Sequence, residues 1–381
     1  VASSFQRAQT SGFAAELAVL APQFEQYPRL VAGLARYNEL RAAGGWGTVS
    51  VSGTIRPGQR SAAIPAIRQR LNAEGYFQGD LASTEHDAAL EAAVEQYQAT
   101  HQLYENGDIT AELISSLNVP VERRIAQIEV ALQKWRETRV AADEGGEFIY
   151  VNVPDFYGEL WDAGELVRRW RVVVGRDQNR RDADGNARGQ TPLFSDRLRF
   201  LVFNPYWNVP DTVRREDYDP KIAEDPTWLE TNGFEIMNEG GREWLRQRPG
   251  PGNALGEVKF MFPNQYDVYM HDTPHKHLFG RPTRAYSLGC VRVHEPMELA
   301  ELLLERDRDW SRGAARSFIE RQQERDGEQW IGLNRPIPIH MEYISVRGGD
   351  DGQMHFLADP YRLDRPLVDA RQAALFPATA D

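Results

Sequence analysis

The chain has 381 residues, a formal net charge of −12 and one cysteine. At about 100–200 residues per domain, this length predicts two or three folded units with sizeable cores. An acidic chain without a block of Lys or Arg argues against nucleic-acid binding, which rests on a basic face. One thiol excludes an internal disulfide and a zinc site made of four cysteines.

The N-terminal third of the chain predicts helices. Within residues 1–55 an apolar stripe falls at Leu30, Leu34 and Tyr37, which indicates a helical scaffold segment. Residues 56–118 predict a small all-α domain, because apolar residues recur there at helical spacing. These positions are Ile64, Ile67, Leu71, Leu90, Ala93, Val94 and Tyr97. Periodicity alone leaves a purely structural bundle open.

After a linker or scaffold helix within 119–145, the pattern changes to extended segments. The predicted strands are 148–153, 170–174, 200–203, 258–262, 268–271 and 337–344. Strands without regular crossover helices favour an antiparallel sheet. We therefore expect an α+β multidomain fold with a β-rich, mainly antiparallel catalytic domain at 146–366 and a C-terminal tail at 367–381.

Two long polar stretches interrupt this β region. Residues 211–247 contain Trp228 and Trp244, which favour a folded lid, and residues 306–335 are strongly charged. Inserts of this length are usually functional lids or disordered. No run approaches the about 18 apolar residues that a membrane span needs. Since the chain starts at Val1 and not at Met, a signal peptide or an anchor helix of the full-length protein would precede the numbered residues.

The densest chemistry surrounds Cys290. Four of the eight histidines lie within 24 residues that also contain this thiol: His271, His275, His277 and His294. A thiol with a free pKa of about 8.5 needs an imidazole to take its proton, so the cluster indicates a cysteine nucleophile. Gly289 permits close backbone approach, and its N–H and that of Cys290 are candidate oxyanion donors. A zinc site is the competing interpretation, although no familiar zinc spacing is present.

These residues resemble the L,D-transpeptidases of bacterial cell walls. The resemblance rests on a strand histidine, His271, followed nineteen positions later by Cys290 within Ser287-Leu288-Gly289-Cys290-Val291-Arg292. Three further blocks are similar to the large periplasmic subfamily: 204–210, 248–256 and 271–274. Residues 56–118 are similar to the peptidoglycan-binding module of that subfamily. Residues 211–247 are similar to its helical capping insert, which binds substrate. Leu288 stands where many members have histidine.

The resemblance assigns roles residue by residue. It implies Cys290 as nucleophile and His271 as base, oriented by the backbone carbonyl of Asp272 rather than by its side chain. Gly289 and Tyr269 would serve the oxyanion, with Tyr269 equally readable as a core aromatic. Arg292 would anchor a stem carboxylate. The remaining substrate-binding candidates are Ser287, Trp207 and Leu288, and no metal or cofactor is implied.

The implied reaction is acylation of Cys290 by a tetrapeptide stem with release of D-alanine, then transfer to a second stem as a 3→3 cross-link. The partners would be donor and acceptor stems, and carbapenem β-lactams would be covalent inhibitors. The implied location is the periplasm or cell envelope. Three alternatives use the same residues: an L,D-carboxypeptidase, D-amino-acid exchange, or attachment of a lipoprotein. An inactive peptidoglycan-binding scaffold is the alternative from another class.

Overall fold

The computed structural model describes residues 22, 24–140, 145–178, 188–225 and 227–377. The chain divides into two compact units, one made of Val1–Gly145, Arg281–Thr283 and Glu342–Asp381 and the other of Gly146–Gly280 and Arg284–Met341. Parts of the predicted segments 1–55, 119–145 and 367–381, and residue 226 of the insert, lie outside the described residues. Within the described ranges, no helix has the length and apolar character needed to cross a membrane.

The described residues of the first unit contain five helices before the second unit begins. They are α1 (Gln26–Ala42), α2 (Ile64–Ala73), α3 (Ala88–Thr100), α4 (Ala111–Leu117) and α5 (Val121–Glu137). Every apolar position that predicted the helices of 56–118 is buried in one core. Asp87 accepts a hydrogen bond from the Leu90 N–H at 3.0 Å and so caps α3, while Thr110 caps α4 in the same way.

The second unit is built on a nine-stranded sheet. Its strands are β1 (Phe148–Asn152), β2 (Tyr157–Asp162), β3 (Glu165–Gly175), β4 (Ser195–Phe203), β8 (Val258–Met261), β9 (Met270–His271), β10 (Ala285–Ser287), β11 (Val291–Val293) and β12 (Gln329–Glu342). Their order is β10-β3-β11-β9-β8-β4-β12-β1-β2, and β2 also pairs with β3, so the sheet closes on itself. Most pairings are antiparallel, which confirms the predicted fold class.

One of the parallel pairings fixes the geometry of the site. β11 runs parallel to β9, with Val291 opposite Met270 and Arg292 opposite His271. On the other side of β9, the antiparallel strand β8 places Lys259 opposite His271. Residues directly opposite each other in a ladder point to the same face of the sheet. Lys259, His271 and Arg292 therefore form one row across three strands.

The insert differs from the predicted helical lid. It contains β5 (Trp207–Asn208), α6 (Asp211–Val213), a π-helical turn (Arg214–Tyr218), α7 (Asp219–Glu224), α8 (Trp228–Thr231), β6 (Phe234–Glu239) and β7 (Arg242–Gln247). The order β5-β7-β6 makes a small antiparallel sheet, so the insert is mixed rather than helical. Its apolar core holds the buried side chains of Val209, Val213, Phe234 and Leu245.

The charged stretch 306–335 is folded, and the prediction of a lid or a disordered segment there was wrong. The stretch contains the end of α9 (Pro296–Arg308), all of α10 (Arg312–Gln323) and the start of β12. Its charges pair with the preceding helix: Arg316 on α10 donates hydrogen bonds to Glu301 on α9 at 2.7 and 3.1 Å. Hence many charges here reflect helix-to-helix ion pairs and not an unfolded loop.

The C-terminal elements belong to the first unit. They are β13 (Val346–Gly348), β14 (Met354–Phe356) and α11 (Arg365–Leu375). The helix α11 packs on α5 through Val368, Ala126 and Val130. The second unit thus ends at Met341, whereas the sequence-based domain continues to residue 366, and the expected tail from 367 is helical as far as Leu375.

Candidate active site

Cys290 lies in the short loop between β10 and β11 and is partly buried. The Val291 N–H donates to the Tyr269 carbonyl at 3.1 Å, which aligns Cys290 with Tyr269. The Tyr269 hydroxyl is hydrogen-bonded to the Cys290 thiol, and the Tyr269 ring centroid lies 5.7 Å from that of His271. Tyr269 therefore connects the predicted nucleophile, in the loop before β11, to the predicted base at the end of β9.

His271 is buried, and its Nδ1 is hydrogen-bonded to the backbone carbonyl oxygen of Asp272. A carbonyl oxygen can only accept, so Nδ1 carries the proton and the Nε2 lone pair is left to act as a base. Burial, and next the charge of Arg292, lower the pKa of His271 to about 3. The imidazole is thus neutral at physiological pH.

The Asp272 side chain has a different task. Its carboxylate accepts hydrogen bonds from the backbone N–H of Glu257 at 3.0 Å and of Thr273 at 2.6 Å, and from the Lys276 ammonium. Glu257 and Thr273 lie in connecting loops, and Lys276 begins a short 3₁₀ helix, Lys276–Gly280. The carboxylate therefore holds the loops around β9 together, and the carbonyl of Asp272 is the group that orients His271, as the resemblance implies.

The resting thiol is neutral. Burial raises the pKa of Cys290 to about 11, while hydrogen bonds from Tyr269 and the charges of Arg292 and Lys259 act in the opposite direction. The Cys290 Sγ lies 4.0 Å from the Asp267 carbonyl oxygen. Burial also holds the pKa of Tyr269 well above its usual value, so its hydroxyl keeps the proton that it can donate. Because the Cys290 thiol and the His271 imidazole are both neutral at rest, the thiol proton has to be transferred to a base as the sulfur attacks.

The loop before Cys290 is organised by hydroxyl groups. The Ser287 hydroxyl donates to the Cys290 carbonyl at 2.5 Å and accepts from the Gly289 N–H at 3.3 Å. Thr191, which the sequence did not single out, donates to the Gly289 carbonyl at 2.8 Å. Ser287 is buried and serves the loop, so the structure argues against its expected substrate contact.

The candidate oxyanion donors change accordingly. The Gly289 N–H is engaged by Ser287, whereas the Cys290 N–H meets no hydrogen-bond acceptor among the residues that the structure describes. Gly289 is still required, because its φ of +122° is unfavourable for other residues. The Cys290 N–H is thus the free backbone donor beside the thiol, while the Tyr269 hydroxyl is hydrogen-bonded to the thiol itself.

Arg292 has the properties of an anion site. Its Nε atom is buried without a hydrogen-bond partner, and no carboxylate within the described ranges pairs with its guanidinium. Burial lowers its pKa. An unpaired cation in a partly buried position costs free energy of folding unless a ligand compensates it. Its place opposite His271 would put a bound carboxylate beside the dyad.

The remaining candidates lie elsewhere. Trp207 packs in the insert core, with ring centroids 6.0 Å from Tyr218 and 6.4 Å from Phe234, rather than standing free as a cleft residue. Leu288 is 50% exposed beside the nucleophile loop. His275 and His277 are exposed, as expected; His275 lies in a loop, whereas His277 lies in a short 3₁₀ helix, Lys276–Gly280. Among the described residues, no three His, Cys, Asp or Glu side chains come together as metal ligands.

Comparison with known proteins agrees with this geometry. Residues 146–310 match the YkuD family model, the L,D-transpeptidase catalytic domain, and residues 60–117 match the model described as "Putative peptidoglycan binding domain". A curated relative from Haemophilus influenzae, described as "Putative L,D-transpeptidase", is 28% identical over 236 residues. That match covers 58% of this chain and 45% of the relative, so the chain spans about half of the relative's length.

Two solved structures are similar over much of the chain. An L,D-transpeptidase from Xylanimonas cellulosilytica is 15% identical, with a TM-score of 0.24, over 77% of this chain and 98% of its own. An L,D-transpeptidase from Stackebrandtia nassauensis is 10% identical, with a TM-score of 0.29, over 77% of this chain and 97% of its own. TM-scores this low carry no argument, so the assignment of the domains rests on the sequence-family matches. By those matches, residues 146–310 are a YkuD L,D-transpeptidase catalytic domain, and residues 60–117 ahead of it are a peptidoglycan-binding domain.

Proposed function

We propose that this protein is a cysteine-dependent L,D-transpeptidase that forms 3→3 cross-links between peptidoglycan stems. The observation that carries the proposal is the arrangement of His271: its Nδ1 is fixed on the Asp272 carbonyl, and its ring centroid lies 5.7 Å from that of Tyr269, whose hydroxyl is hydrogen-bonded to the single thiol of the chain. Such a base and nucleophile suit acyl transfer. The substrate, the thioester and the released D-alanine are parts of the same proposal.

The first half-reaction follows from the protonation states. His271 Nε2 takes the thiol proton as Cys290 Sγ attacks the diaminopimelate carbonyl of the donor stem. The Cys290 N–H and the Tyr269 hydroxyl donate to the oxyanion. When the tetrahedral intermediate collapses, the C–N bond to D-alanine breaks, the leaving amine takes the proton from His271, and a thioester remains on Cys290.

The second half-reaction repeats the sequence with an amine. The side-chain amine of the acceptor diaminopimelate attacks the thioester, His271 accepts its proton, and the C–S bond breaks with return of the proton to Cys290. Arg292 would hold a stem carboxylate beside the dyad through its unpaired guanidinium. The insert of residues 207–247 would exclude water and favour the amine over hydrolysis. The residues 60–117 would bind the wall, and the site of action would be outside the cytoplasm, in the periplasm.

Product analysis tests the proposal. The protein and its Cys290→Ala variant are incubated with purified disaccharide-tetrapeptide, and the products are identified by mass spectrometry. We expect a dimer that has lost one D-alanine, absent with the variant. Tripeptide monomer alone would make the protein an L,D-carboxypeptidase, and exchange of the terminal residue would appear when D-amino acids are added. If the folded protein has a reactive thiol but forms no product, the remaining interpretation is an inactive peptidoglycan-binding scaffold.

The thioester chemistry has a second consequence. The strained ring of a carbapenem should acylate Cys290, adding the mass of the intact drug to the wild-type chain and nothing to Cys290→Ala. Because the chain has a single cysteine, the adduct can be assigned from the intact mass. Absence of an adduct on a protein that still reacts with iodoacetamide would contradict carbapenem inhibition.

A further inference from the structure

A buried lysine lies beside the proposed base. Lys259 is 8% exposed and stands directly opposite His271 in the ladder between β8 and β9. Its ammonium nitrogen is 5.6 Å from the ring centroid of Tyr269 and 5.4 Å from that of Trp330. A lysine in the middle of a buried strand is unusual, because transfer of an ammonium out of water is costly. Its position faces the reacting groups and not the solvent.

The acidic partner of this lysine is shared with other donors. Glu328 lies 3.3 Å from the Lys259 ammonium, and the same oxygen accepts from the Tyr206 N–H at 3.2 Å. Its second oxygen accepts from the Trp330 indole at 2.7 Å. A carboxylate that is held by three donors is fixed in place, and it offsets the lysine charge from the side away from β9.

We propose that Lys259 is a positioning residue whose charge favours the thiolate form of Cys290 and the neutral form of His271, and that Glu328 limits how much of this charge reaches them. Like charges oppose protonation of the imidazole, and a nearby cation stabilises a thiolate. Both groups respond in this direction, since the charge of Lys259 lowers the pKa of Cys290 and of His271. The inference rests on the proposed role of Cys290 as nucleophile.

Other charged and titratable groups act on the thiol or on the residues around it. Tyr269 and Arg292 act on Cys290, Arg292 also acts on His271, and Asp267 and Glu328 act on Tyr269. Arg292 acts in the same direction as Lys259, so removal of Lys259 alone should weaken the effect rather than abolish it. Glu328 acts in the opposite direction, and this difference in sign makes the inference testable.

The experiment measures the rate of Cys290 alkylation by iodoacetamide as a function of pH, on the full chain, by intact mass. Iodoacetamide is uncharged and reacts with the thiolate, so the midpoint of the profile reports the ionisation of Cys290. For Lys259→Met we expect the midpoint to rise by about one pH unit. For Lys259→Arg, which keeps the charge, we expect a midpoint close to the wild-type value.

Glu328→Gln is the decisive control. It breaks the same ion pair as Lys259→Met but leaves the lysine charged, so the midpoint should fall. If Lys259 only supports the fold, both variants should shift the midpoint in the same direction or not at all, and that result would overturn the inference. If Lys259→Met does not fold, Glu328→Gln is a sufficient test. An alkylation midpoint of this variant that is not below the wild-type value would overturn the inference. Opposite shifts in a protein that makes no cross-linked product would refute the transpeptidase proposal and leave this one standing.

Discussion

Arg292 stands directly opposite His271 in the parallel register of β11 against β9. The guanidinium disfavours a second positive charge on the imidazole, and its effect adds to that of burial in keeping His271 neutral. Within the described part of the chain, no carboxylate neutralises this arginine. One side chain therefore helps burial to keep the base neutral and offers a place for an anionic substrate group.

Replacement of His271 should remove general-base catalysis. We expect His271→Gln to lower the rate of D-alanine release by about 10²–10⁴-fold, the usual contribution of a positioned base. His275→Gln is the matched control, because His275 is an exposed loop residue of the same cluster, and its rate should stay near the wild-type value. Similar losses in both variants would contradict the assignment of His271.

The protonation state of His271 can be measured directly. Its pKa is lowered from 6.5 to about 3, so the native state holds a neutral imidazole where the unfolded state becomes charged. The resulting contribution to stability is complete above pH 6.5 and is lost as the pH falls toward 3. In ¹⁵N-histidine NMR spectra, assigned with His271→Gln, the His271 ring should remain neutral and protonated at Nδ1 down to pH 5. A titration with its midpoint near 6.5 would contradict this.

Much of the dyad could be predicted from the sequence because its signals are local. A single cysteine next to a glycine, with a histidine at the end of an apolar strand, indicates a nucleophile and a base. The apolar positions of the helices in 56–118 were correct, since helical periodicity is read within one segment. For the same reason, the resemblance could place the orienting carbonyl at Asp272, the residue next to His271.

The features of the site that could not be predicted from the sequence depend on pairing between distant segments. The parallel register of β11 on β9, which brings Arg292 and His271 together, joins segments separated by the loops between them. Thr191 reaches Gly289 from a distant part of the chain, and no local pattern marks it. Lys259 could have been singled out from the sequence, because it is a charged residue within an apolar strand.

Gly289 should tolerate no side chain. Its φ of +122° is unfavourable for an L-residue, and a Cβ would lie 3.4 Å from the Gln190 carbonyl oxygen. We expect Gly289→Ala to destabilise the second unit by about 1–2 kcal/mol and to displace the Cys290 N–H, with loss of activity. Gly280→Ala is the control, because open space surrounds that position. The check is the melting temperature together with D-alanine release; equal behaviour of the two variants would count against the loop geometry.

Loss of the Arg292 charge should separate stability from activity. Its guanidinium has a buried Nε without a partner, so Arg292→Met removes an uncompensated cation, and we expect a melting temperature equal to or above that of the wild type. The same change removes a charge-assisted contact worth about 1.5–3 kcal/mol, which predicts a loss of tenfold or more in kcat/KM. Arg292→Lys should retain part of the activity because it keeps the charge but not the fork of donors.

A modified donor stem identifies the contact. If Arg292 binds a stem carboxylate, the wild-type enzyme should lose rate when the carboxylates of the donor are converted to amides, and Arg292→Met should use both donors equally. That equality is what a substrate contact requires and what a structural arginine would not produce. A variant that melts at a lower temperature and still discriminates between the two donors would instead place Arg292 among the residues that only maintain the fold.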